Sequence, residues 1–126
     1  MQIDRWPASA PGRSRVVSCS GLVRTVANAR DASRPFDAQV AESLHMLDAH
    51  LQQAGSARTH ILSVQVVLTD IAMRGDFDRL WQAWIGPDPA HWPQRACYQA
   101  GLAPGLLVEL VVVAASASAS QRVHTP

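Results

Sequence analysis

Charge is scarce in this chain. Only 17% of its 126 residues are Asp, Glu, Lys or Arg, against 48% hydrophobic residues, and the net charge is +1. There is no run of Lys or Arg, which argues against broad binding to nucleic acid or to a membrane surface. A monomer so poor in charge would expose apolar surface, so the composition leans toward an oligomer. Cysteine is equally sparse: Cys19 and Cys97 have no metal-ligand spacing, and two cysteines do not make a disulfide scaffold. No apolar run approaches the ~20 residues needed to span a bilayer. The opening Met1-Gln2-Ile3-Asp4-Arg5 lacks the pattern of a signal peptide, and the cytoplasm is the expected location. The length suits a single domain with a modest core.

What is present falls into an ordered alternation. Residues 1–5 suit a short edge strand, and residues 6–14, rich in Pro, Ala, Gly and Ser, read as a loop. Residues 15–24 are β-type, with Gly21 marking a bulge or a close backbone approach, and residues 28–35 form a polar connection. From Phe36 to Ala54 a helix is expected: Val40, Leu44, Leu47, Leu51 and Ala54 share one stripe, and Gly55 suits the C′ position. Residues 61–68 alternate as a strand, with Leu62, Val64, Val66 and Leu68 on one face and Ser63 and Gln65 on the other. Phe77, Leu80, Trp81, Trp84 and Ile85 trace a second, shorter helix closed by Gly86-Pro87, so both tryptophans belong to its core face. His45, His50, His60 and His91 have no ligand spacing and read as surface residues. Residues 116–126, beginning Ser-Ala-Ser-Ala-Ser, lack periodicity and are expected to form a flexible Ala/Ser-rich tail after a domain spanning 1–115.

Two stretches, 93–102 and 107–115, organise the rest. Each reads as a strand carrying one unexpected charge. The second is apolar everywhere except Glu109, as if covered on both faces or nearly so, and a carboxylate there calls for a partner. Alternation puts Arg95, Cys97 and Gln99 on one face of the first stretch. If the two strands are neighbours joined by Ala103-Pro104-Gly105, Arg95 and Glu109 border one pocket. The order of elements predicts an α+β fold, a sheet with both helices on one face. No helix remains for the other face, and self-association is the economical cover.

These residues carry a pattern. Ser20-Gly21, Ala54-Gly55, the strand end Val66 to Asp70, Phe77 with Trp81, Pro93-x-Arg95-x-Cys97 and Val108-Glu109, spread over about residues 15 to 115, together resemble the RidA/YjgF family. The runs Trp81 to Trp84 and Arg95 to Leu102 look closest to its YoaB-like branch. The resemblance implies a chorismate-mutase-like single domain, assembled as a homotrimer with sites in the clefts between subunits. It also implies cofactor-independent hydrolysis of reactive enamines and imines to 2-oxo acids and ammonia. By position, Arg95 matches the arginine that grips the substrate carboxylate, Cys97 the cysteine beside it, and Glu109 the glutamate associated with the hydrolytic water. Ser20, followed by Gly21, matches a serine lining the pocket. The family's N-terminal tyrosine has no counterpart, although Trp6 offers an aromatic wall, and the loop before Glu109 is about one residue shorter.

The chemistry suits these residue types. A guanidinium holds a carboxylate bidentately, fixing distance and angle together, where a lysine would supply charge without the fork. Hydrolysis then needs an oriented water and a proton acceptor, a role open to Glu109. No metal or organic cofactor is called for. The plainer readings are a structural ion pair for Arg95 and Glu109, a small core residue for Cys97, and turn polarity for Ser20. At the level of the whole protein, the alternative to a deaminase is a non-catalytic trimeric binder of small carboxylates. The ribonuclease activity reported in the family lacks the basic face and stacking aromatics that RNA binding normally shows.

Overall fold

The computed structural model describes residues 1–117. Strands β1 (Ile3–Pro7), β2 (Ser14–Cys19) and β3 (Leu22–Ala27) are followed by helix α1 (Phe36–Gln53), strand β4 (Ile61–Leu68), helix α2 (Arg74–Ile85) and strands β5 (Gln94–Gln99) and β6 (Val108–Ala115). The strands form one six-stranded sheet in the order β1-β2-β3-β6-β4-β5. All pairings are antiparallel except β4 with β5. The expected α+β class with a mixed sheet and two helices on one face is what the chain forms.

Three expectations for the strands are corrected. Residues 15–24 are not one strand with a bulge: Ser20 and Gly21, at φ 52° and 81°, make the two-residue turn of a β2–β3 hairpin. Positive φ at both turn residues matches the twist of the flanking strands, and only the glycine adopts it freely. In β4 the ladder to β6 slips between Ile61 and Ser63, so Leu62 leaves the core face and is 49% exposed while Ile61 is buried. Most consequentially, β5 and β6 are not neighbours. The β4–α2–β5 unit returns its second strand parallel to the first, and β6 inserts on the other side of β4, so a whole strand separates Arg95 from Glu109.

The core lies between the helices and one face of the sheet. Val16, Val23, Val64, Val66, Leu68, Val108, Leu110, Val112 and Ala114 meet the α1 residues Val40, Leu44, Leu47 and Leu51 and the α2 residues Phe77, Trp81 and Ile85. Each fully buried aliphatic side chain contributes about 1.5–3 kcal/mol relative to exposure. The C-terminus of α1 is closed as expected at Gly55, where Ser56 N donates to Leu51 O at 2.8 Å and Gly55 N to Gln52 O at 3.1 Å. That double bond satisfies two of the helix's last carbonyls. Trp84 packs against the edge of this core, its ring 5.4 Å from that of Trp81, and its polar end is held there: Asp48 on α1 accepts from the Arg58 guanidinium and from Trp84 Nε1, and Arg58 stacks over the Trp84 ring.

Two polar side chains on the α1 stripe hold the fold from inside. Gln39 is fully buried, and its amide nitrogen donates to Ala32 O, Arg34 O and Gly105 O while its oxygen accepts from Leu107 N at 2.9 Å. It therefore ties the connection after β3 to the loop before β6. Gly105 permits that approach: a Cβ there would lie 2.8 Å from Ala32 O, and its φ is +83°. His50, expected at the surface, is buried at 6% exposure because it follows Leu47 by three positions on the same stripe. Its Nδ1 lies 2.9 Å from Thr25 Oγ1, and that hydroxyl donates to Arg15 O. At the chain end, Ser116 N donates to Gly21 O and Ala117 N to Gly55 O, each at 2.9 Å. The remainder of the expected tail, 118–126, lies outside the described residues.

Candidate active site

Pro93 fixes the backbone just before β5, and the parallel register sets Arg95 beside Val64, on the helix-covered face. Being on the edge strand, Arg95 reaches the rim of the core rather than its centre. Its Nη2 donates to Asp78 Oδ1 on α2 at 2.5 Å, and its guanidinium carbon lies 5.5 Å from the centre of the Phe77 ring. The second oxygen of Asp78 faces Arg74 Nε at 3.9 Å. Arg95 and Asp78 side chains are 21% and 29% exposed, so the pair is screened from water on most sides but not sealed. Both border an open cleft of about 770 Å³ whose apolar walls are Trp81, Ile85, Pro87 and Trp92. The Trp92 indole is held at the rim by its Nε1–H bond to Gly86 O at 2.9 Å.

Cys97 lies two residues further on the same face, packed against the core. Burial pushes its thiol up, with the Arg95 guanidinium pulling weakly the other way. The thiol is thus kept protonated at neutral pH, which suits a packing or lining role better than a nucleophile.

Glu109 belongs elsewhere. It sits opposite Val67 on the sheet face that carries no helix. Because Ala27 pairs with Leu110, the next residue of the β3 end, Asn28, meets the Glu109 carboxylate, and Asn28 Nδ2 donates to Oε1 at 3.1 Å. Arg95 and Glu109 are therefore not ion-paired with each other: each has its own partner, on opposite faces of one sheet. Ser20 and Gly21 occupy the hairpin at the far end of β6, next to Ala115, about 20 Å along the strand from Glu109 at 3.3–3.4 Å per residue. Trp6 lies on β1, the opposite edge of the sheet from β5.

The chain thus brings together Arg95 and Cys97, and leaves Glu109, the Ser20-Gly21 turn and Trp6 apart from them. Asp78 and Asn28 are the partners that sequence reading missed. Asp78 had a legible signal, since it directly follows Phe77 and takes the rim position of α2; Asn28 becomes a partner only through the β3–β6 register. Among the described residues no group of three or more His, Cys, Asp or Glu side chains is placed to hold a metal ion, and no helix is long and apolar enough to cross a membrane.

Comparison with known proteins agrees with this architecture. The family model described as Endoribonuclease L-PSP matches residues 5–116. A RutC family protein of Haemophilus ducreyi is 33% identical over 86 residues, 68% of this chain and 72% of that protein. The RutC family protein YoaB of Escherichia coli is 36% identical over 78 residues, 61% of this chain and 67% of that protein. A solved structure from Neisseria meningitidis, NMB1025, a member of the YjgF protein family, superposes with a TM-score of 0.80 at 27% identity, covering 92% of this chain and 96% of that one.

Proposed function

The chain belongs to the Endoribonuclease L-PSP family, the RidA/YjgF family, and from that premise we propose that it hydrolyses 2-imino and enamino acids to 2-oxo acids and ammonia. The observation that carries the reading is the half-buried Arg95 guanidinium, fixed over the Phe77 ring at the mouth of an open cleft. A flat, always-charged fork held in that way binds a small carboxylate with defined orientation. With the protonated imine as reactant, water adds to the C=N carbon and the C–N bond breaks, so one iminium acid and one water give one 2-oxo acid and one ammonium ion.

In this proposal Glu109 positions and deprotonates the water. Since it faces away from Arg95 within one chain, a site containing both draws them from two copies, each contributing one. The helix-free face supports such an assembly: Val26 and Tyr98 are each 44% exposed there, beside the partly covered Val111 and Val113. A homotrimer that packs these faces against one another would cover the apolar surface and complete three sites.

The test is ammonia release from 2-imino acids generated in situ by an amino-acid oxidase, with wild type, Arg95→Ala and a protein-free control. Release above the control that is lost in Arg95→Ala supports the deaminase. Release equal to the control, with pyruvate or 2-oxobutanoate still binding by calorimetry, would identify a non-catalytic carboxylate binder instead.

A further inference from the structure

The cleft at Arg95 contains a fixed anion as well as a fixed cation, and the carboxylate-gripping role of Arg95 does not explain the anion. Asp78 Oδ1 occupies the guanidinium at 2.5 Å, in the position a ligand carboxylate would take. A ligand carrying only a carboxylate must displace it and leave two carboxylates around one guanidinium. Arg74, the other cation near Asp78, is 61% exposed at 3.9 Å and compensates mainly from the solvent side. A zwitterion meets a different balance. Its carboxylate takes Arg95, its cationic nitrogen takes Asp78, and four charges alternate in sign where two stood before.

We propose that Asp78 reads the cationic nitrogen, so that this cleft selects a zwitterionic acid with an apolar side chain over the 2-oxo acid of the same carbon skeleton. The inference rests on the carboxylate-gripping role of Arg95 and narrows it. The walls set the side-chain class: Trp81, Ile85, Pro87 and Trp92 offer apolar surface, and about 770 Å³ exceeds what a three-carbon acid fills. The Phe77 ring, 5.5 Å from the guanidinium carbon, and the Asp78 bond hold the guanidinium at the cleft, so a carboxylate taken by Arg95 brings a nitrogen one carbon away within reach of Asp78. The arrangement also separates reactant from product. The protonated imine presents a cation to Asp78; hydrolysis replaces it with a neutral carbonyl, and the product carboxylate is left facing the Asp78 carboxylate. Asp78 thereby favours reactant capture and product release, as a positioning residue that takes no part in bond making.

Leucine, each enantiomer separately, and 4-methyl-2-oxopentanoate share a skeleton and differ at the nitrogen. Calorimetric titration of both ligands at pH 7.5 into wild type and Asp78→Asn reads the effect as a ratio of affinities, which a merely structural role would not move. Wild type is expected to bind one leucine enantiomer at least 10-fold tighter than the 2-oxo acid. Asp78→Asn, isosteric and on a helix rim, is expected to weaken leucine and strengthen the 2-oxo acid, reversing the order. Equal or tighter binding of the 2-oxo acid by wild type overturns the inference while leaving the Arg95 grip intact, and so does a ratio unchanged by the substitution. Should the variant fail to fold, the wild-type ratio alone decides. If neither ligand binds wild type, the carboxylate grip of Arg95 fails, and this inference with it.

Discussion

The two faces of β6 have nearly the same composition and opposite fates. Val108, Leu110, Val112 and Ala114 are no more than 1% exposed, whereas Val111, Val113 and Ala115 between them keep part of their surface in water. The difference is made by α1 and α2, which lie over only one side. An apolar strand with a helix layer on one face is half of a core, and on the other face of β6 the carboxylate Glu109 shares its side with Val111, Val113 and Ala115. Under the proposed function the sheet separates two tasks, stability under the helices and assembly with chemistry on the bare face, with Arg95 acting from the edge between them.

Substitutions on the two faces should separate accordingly. Leu110→Ala leaves a cavity under the helices and is expected to lower unfolding stability by about 2–5 kcal/mol in urea denaturation. Val26→Asp on the bare face is expected to leave the single chain's fold within about 1 kcal/mol of wild type and to lower the assembled mass in light scattering. A wild-type protein that stays monomeric at micromolar concentration would break the comparison, and so would a Val26→Asp variant that unfolds as readily as Leu110→Ala.

Gln39 sharpens the same contrast from within the helix-covered side. Gln39→Leu keeps size but strands the Leu107 N–H and the carbonyls that accept from the Gln39 amide, and should destabilise by about 2–4 kcal/mol through the lost buried hydrogen bonds. Its effect should also reach Glu109, because the loop it ties off at Leu107 leads straight into β6. This case shows where the sequence was readable and where it was not. Periodicity located α1, β4 and α2 closely, because each is long enough for its apolar stripe to dominate. The stripe also contained Gln39 and His50, and a polar residue at a stripe position was the available sign that both are buried. Strand adjacency was not readable. Residues 93–102 and 107–115 look like a hairpin locally, and only the parallel β4–α2–β5 unit puts β4 between them. That topology puts a whole strand between Arg95 and Glu109, the registers Val64–Arg95 and Val67–Glu109 turn them to opposite faces, and α2 offers Arg95 the carboxylate of Asp78.

Chemistry should divide along the same line. Glu109→Gln preserves shape and the bare face, so turnover is expected to fall by about 10²-fold with binding of a 2-oxo acid close to wild type. Unchanged turnover would remove Glu109 from the reaction. A parallel loss of stability would make it a structural partner of Asn28. At the edge, Arg95→Lys keeps the charge but loses the fork, and carboxylate binding should weaken by about 1.5–3 kcal/mol, read by calorimetry with the oligomer checked alongside. Equal affinity in wild type and variant would mean that Arg95 does not hold a carboxylate.

The smallest expected effect belongs to the helix-covered face and depends on pH. His50 is held below the ordinary histidine value, first by burial and then by the positive charges of Arg15 and Arg30. The geometry agrees: the Thr25 hydroxyl proton is given to Arg15 O, so His50 Nδ1 donates to Thr25, and Nε2 has no protein partner among the described residues. A second proton would sit on Nε2 with no acceptor. The folded chain therefore favours neutral His50, while the unfolded chain titrates near 6.5. Above that pH both states are neutral and His50 makes stability independent of pH. As pH falls below 6.5 the unfolded chain takes up the proton first, and stability is lost by at most about 1.4 kcal/mol per pH unit from this one group. Acidic side chains add their own pH dependence, so the quantity to measure is a difference. Urea unfolding at pH 7.5 and at pH 5.5 should show wild type losing more stability than His50→Gln, which keeps a donor for Thr25 and cannot titrate. Equal losses in the two proteins would mean that His50 charges as readily inside the fold as outside it, and the burial that distinguishes this face would have no electrostatic consequence there.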